Sequence, residues 1–101
     1  MAILRMWTGV IRTADRGAYR EYLEQTGLKE YRETPGNIDA MALYRDLSDG
    51  RTEVVTVSKW RSRDDIVAFA GDDISLAVFY PEDDRFLVDR ELTVKHFDVV
   101  E

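Results

Sequence analysis

Few side chains in this chain are equipped for chemistry, and most of them fall on extended stretches. His96 is the only histidine. Imidazole is the side chain whose ordinary pKa lies nearest neutrality, so His96 is the default general base. Trp60 follows Thr56 and Ser58 at intervals of two, which puts all three on one face of a strand. A mixed polar and aromatic face suits the wall of a ligand cavity, with Trp60 shaping it and Ser58 offering a hydroxyl. A plain core or interface tryptophan is the alternative. Arg5 and Trp7 share a strand face in the same way, and a buried guanidinium there could pair with a phenolate or with an acid of a partner subunit. Tyr44 and Tyr80 carry hydroxyls able to bond a substrate oxygen, or to sit at an amphipathic boundary. The expected site therefore has His96 and Trp60 in catalytic roles and Arg5, Trp7, Tyr44, Ser58 and Tyr80 against the substrate. The acidic runs at 72–73, 82–84 and 89–91 lack the alternating oxygen ligands and glycine turn of a hard-cation loop. They read as solvated surface, and no metal is expected.

The elements that must position these residues follow from patterning. Residues 2–12 alternate, with Leu4, Met6 and Val10 on one side and Ile3, Trp7 and Ile11 on the other, which predicts a first strand. Asp15 is placed to cap a helix reaching about residue 31, with Ala18, Tyr19, Tyr22, Leu23 and Thr26 as its buried stripe and Gly27 weakening or kinking it. Turn residues at 34–37 lead into a second strand over 38–46, and 48–50 make a tight hairpin into a third strand over 52–60. Ser62 then caps a helix over 63–70, which Gly71 ends, and Ile66, Phe69 and Ala70 form its core stripe. A further helical turn over 74–80, a charged loop over 82–90 and a last strand over 92–100 complete the reading. The order βαββαβ with a central hairpin predicts an α+β, ferredoxin-like fold with an antiparallel sheet. Both faces of strands one and three are apolar, so something must cover the second face. A second copy of the same sheet across a two-fold axis is the simplest cover, which predicts a homodimer.

Composition narrows the partners. The 101 residues suffice for one domain spanning the whole chain, and no linker interrupts them. A net charge of −6 with no clustered Lys or Arg argues against nucleic acid. No segment approaches the roughly 20 apolar residues that cross a bilayer, so no membrane span is expected. The apolar start is too short and too broken by arginine for a secretory leader, and there is no cysteine, so the cytoplasm is the expected location.

Several stretches together resemble the antibiotic biosynthesis monooxygenase family of dimeric α/β barrels. They are Trp7 and Gly9, the segment at 19–23, the turn at 34–37, Ser58 to Trp60, the segment at 68–71 and that at 80–83. The resemblance spans nearly the whole chain. It implies a homodimer whose two sheets form a barrel, with a pocket for a small hydrophobic or aromatic ligand between the sheet and helices of each subunit. Quinol-oxidising members of that family use no metal or flavin, so no cofactor is expected: the substrate loses a proton and reduces oxygen directly. Trp60 matches the family's recurrent pocket tryptophan by position. The haem-degrading branch would need an asparagine on strand one and a histidine on the second helix, and neither is present. The implied activity is a cofactor-independent monooxygenase acting on a small phenol or quinol of polyketide type. The alternative is a non-catalytic dimer that holds a hydrophobic metabolite or haem.

Overall fold

In a computed structural model that describes residues 1–101, a single antiparallel sheet carries the helices on one face. Its long strands are β1 (Ile3–Arg12), β2 (Asn37–Asp46) and β3 (Arg51–Trp60). Two short strands, β4 (Leu87–Arg90) and β5 (Lys95–Asp98), both pair with the other edge of β1. The order across the sheet is β2, β3, β1, then β4 or β5, as a ferredoxin-like domain requires. The helices are α1 (Arg16–Gln25), α2 (Gly27–Glu33), α3 (Arg63–Ala70) and the one-turn α4 (Asp83–Phe86).

Period-two patterning sorts the side chains. In β1, Ile3, Arg5, Trp7 and Ile11 are buried beneath the helices, and in β3 so are Thr52, Val54, Thr56, Ser58 and Trp60. The register sets Ile3 opposite Trp60, Arg5 opposite Ser58 and Trp7 opposite Thr56. Tyr19, Leu23, Leu28, Tyr31, Ile66 and Phe69 close over this face as one core, each large apolar side chain contributing about 1.5–3 kcal/mol by leaving water. Gly36, at φ +92°, lets the turn before β2 lie against α3. A Cβ added there would fall 2.2 Å from the Asp65 side chain. Ser62 caps α3 as expected, its Oγ accepting the Asp65 N–H at 3.3 Å and donating to the Asp65 carboxylate at 3.0 Å.

The expectations fail in four places. Asp15 caps nothing, because its carboxylate is drawn to Arg12 at 3.2 Å. The long helix does break beside Gly27, the residue expected to weaken or kink it, with the Thr26 hydroxyl bonding back to the Tyr22 carbonyl at 2.8 Å, but Ala18, expected in its buried stripe, faces solvent. Residues 74–80 form no helix; Leu76 bridges Thr93, so the stretch lies alongside the chain before β5. The charged run at 82–90 is not a loop, because its apolar pair Phe86 and Leu87 is buried and draws it into α4 and β4. The last strand is accordingly shortened to four residues.

The other face of the sheet remains apolar and uncovered. Met41, Leu43 and Phe97 are 43%, 49% and 45% exposed, and Leu4, Met6, Val55 and Val57 lie half-buried among them. No helix is long and apolar enough to cross a membrane.

Candidate functional site

Between the covered face of the sheet and the helices lies a mostly apolar cavity whose wall includes six aromatic rings. β1 and β3 supply Arg5, Trp7 and Thr56 from adjacent rungs of the sheet. Tyr19, Leu23 and Tyr31 come from α1 and α2, Phe69 from α3, Asp83 from α4, and residues 77–80 make the outer wall. Trp7 is fixed at both ends. Its Nε1–H donates to the Glu91 carbonyl at 2.8 Å, and its ring lies across Gly9, where a Cβ would stand 2.4 Å from the indole. Phe79 meets Trp7 edge-on at 6.3 Å, and Tyr31 packs against Phe69 at 4.4 Å. Tyr80 Oη donates to Glu30 at 2.8 Å, tying the outer wall to α2. The free volume is about 30 Å³, room for a water or two, whereas sites for drug-sized ligands measure about 300–1,000 Å³.

Two charged groups are buried in this apolar setting. Arg5 is 1% exposed. Its guanidinium donates to the carbonyls of Ile74 and Leu76, meets His96 Nε2 at 3.1 Å and lies 5.8 Å over the Phe69 ring. Asp83, 6% exposed, accepts the Tyr80 N–H at 2.6 Å. Burial pushes its carboxyl above the usual range, against the pull of that N–H and of Arg90. Burial, and then the Asp83 charge, raise the Tyr19 phenol well above its ordinary value, so it stays neutral. His96 is pushed down to about 4 by burial first and then by the positive charges of Arg5 and Arg63. It is therefore neutral at physiological pH and accepts the Arg5 N–H.

Of the residues expected at a site, Arg5, Trp7 and Tyr80 come together here, and Thr56 joins them. Four others stand elsewhere. Trp60 is fully buried against Tyr31 and Phe69, and its Nε1–H is spent on Ser58 Oγ at 2.8 Å, so both residues belong to the core beneath the cavity. Tyr44 lines a separate open cleft of about 320 Å³ beside Arg16, Arg20 and Arg32. His96 lies behind Arg5 rather than in the cavity wall. Sequence reasoning missed Tyr19, Tyr31, Phe69 and Asp83. Tyr19 and Phe69 stood in helical stripes that read as core and Tyr31 only marked the end of a helix, whereas Asp83 sat in an acidic run with no sign of burial.

No protein-family model and no curated protein matches the sequence. Solved structures do match it. One from Bacillus cereus, named as an antibiotic biosynthesis monooxygenase, is 17% identical, with 100% of this chain and 93% of that one covered at a TM-score of 0.67. The fold is that of the antibiotic biosynthesis monooxygenases. SnoaB, a cofactor-independent oxygenase from Streptomyces nogalater, is 12% identical over 99% of this chain and 94% of its own, with a TM-score of 0.61. A haem-degrading protein of Mycobacterium tuberculosis is 19% identical over 100% and 96%, with a TM-score of 0.55. The fold is thus shared by proteins named for different chemistries, so it does not by itself assign one to this chain.

Proposed function

We propose that this protein is a cofactor-independent monooxygenase that acts on a small aromatic phenol or quinol bound between sheet and helices. The observation that carries the reading is an apolar cavity with six aromatic rings in its wall that also holds a buried carboxyl with its pKa raised. In an anthrone-type substrate, Asp83 takes a proton from the ring system, and Arg5 stabilises the negative charge that develops on oxygen. The resulting carbanion reduces dioxygen. One oxygen atom becomes the new carbonyl, the other leaves as water with the two displaced hydrogens, and the substrate supplies all the electrons. A ring system requires more space than the cavity now offers, so residues 77–80 move outward when it enters.

The functional unit in this reading is a homodimer, since a second sheet packed on the uncovered face would shield its exposed apolar side chains. The cytoplasm remains the expected location.

Oxygen uptake with an anthrone panel tests the chemistry. Wild type consumes oxygen, and Asp83→Asn loses about 10²–10⁴-fold in rate. Loss in His96→Ala with retention in Asp83→Asn would move the proton-accepting role to His96. No uptake across the panel, with an aromatic metabolite found bound by native mass spectrometry, would make the protein a carrier instead. A haem titration with a shifted Soret band would point to the haem branch.

A further inference from the structure

Arg5 is a permanent cation without an anion. It is 1% exposed and lines the cavity, yet it takes part in none of the protein's ion pairs. A charge shut away from water is costly unless an opposite charge meets it. Its neighbours are neutral: two backbone carbonyls, and an imidazole that its own charge helps to keep unprotonated.

The donor inventory sharpens this. A guanidinium has five N–H groups. Nη1 donates to Ile74 O and His96 Nε2, and Nη2 donates to Leu76 O. The Nε–H is buried with no acceptor, and one Nη2–H is also unused. Nε and Nη2 form an edge of the guanidinium that matches two carboxylate oxygens, or one phenolate oxygen between them. Tying down the Ile74 and Leu76 carbonyls would explain two donors and the His96 contact a third, but not the orphaned Nε–H or the choice of a charged group.

We propose that Arg5 is the anion-receiving residue of the cavity, and that the ligand is an aromatic anion whose carboxylate or phenolate oxygen accepts from Nε–H and Nη2–H. Its rings lie among Trp7, Tyr31 and Phe69. The inference rests on the cavity being the ligand site and not on the oxygen chemistry.

Calorimetric titration of the full-length protein with 2-naphthoate and with 2-naphthamide, its neutral near-isostere, tests the charge. The acid binds wild type about 10- to 100-fold more tightly than the amide. The ratio collapses in Arg5→Gln and is partly kept in Arg5→Lys. If Arg5→Gln does not fold, the ratio in wild type still decides. A third titration with 2-naphthol separates the sources, because a phenolate ligand shows its red-shifted absorption when bound near neutral pH, where free naphthol is un-ionised. Equal affinity of acid and amide in wild type, an unchanged ratio in Arg5→Gln, or no binding of any of the three at millimolar concentration overturns the proposal. Oxygen uptake without an acid preference would sink this inference and leave the monooxygenase reading standing. An acid preference without uptake would do the reverse.

Discussion

His96 and Asp83 respond to burial in opposite directions, and that difference is measurable. His96 sits at about 4 in the folded protein against 6.5 when free. Between those values the unfolded chain binds more protons than the folded one, so the His96 contribution to stability is lost as pH falls through that window. Asp83, with a raised pKa, weakens stability as pH rises from the ordinary carboxylate range through its folded value. Comparing two proteins that both retain Asp83 isolates the histidine. The denaturation free energy of wild type minus that of His96→Gln shrinks as pH is lowered from 6.5 towards 4; a constant difference would place His96 in solvent. The arginine and the tryptophan of β1 were legible at this scale because strand periodicity fixes which face a residue takes. Asp83 was not, since its burial depends on Phe86 packing at 5.5 Å from Tyr19 and 5.4 Å from Tyr22, far away in sequence.

Among the elements, α3 shows how local rules set the site. Ser62 fixes where the helix begins, and that start directs Phe69 into the cavity wall. Ser62→Ala removes the cap and costs about 1 kcal/mol, read as a lower denaturant midpoint with an unchanged m-value. The three long strands, the hairpin turn between β2 and β3 and this capped helix were legible because each is specified by its own residues. The fate of residues 74–90 was not. Gly27 marked the weak point of the first helix, where the Thr26 hydroxyl returns locally to the Tyr22 carbonyl, whereas the stretch over 74–80, bridged by Leu76 to Thr93, and the pairing of β4 with β1 are settled by tertiary neighbours. The misplacement of Trp60 has the same origin. Strand periodicity gives its face correctly, but only Tyr31 and Phe69 folding over it turn that face into core.

For the molecule as a whole, the uncovered face of the sheet is what supports the proposed homodimer. Light scattering at micromolar concentration gives twice the chain mass of 11.7 kDa, and Leu43→Glu, a charge set on that face in the edge strand β2, returns the monomer mass. A wild-type monomer would remove the case for an enclosed barrel. The covered face carries a different consequence, one of timing. The carbonyls of Ile74 and Leu76 hold the guanidinium, and the wall that follows them leaves space for little more than water. A ligand therefore cannot arrive faster than that segment yields. In stopped-flow mixing, the observed association rate climbs with ligand concentration and then levels off at the segment's own opening rate, whereas an open cavity would give a line without a ceiling. The arginine that waits for an anion is thus also the clock on its entry.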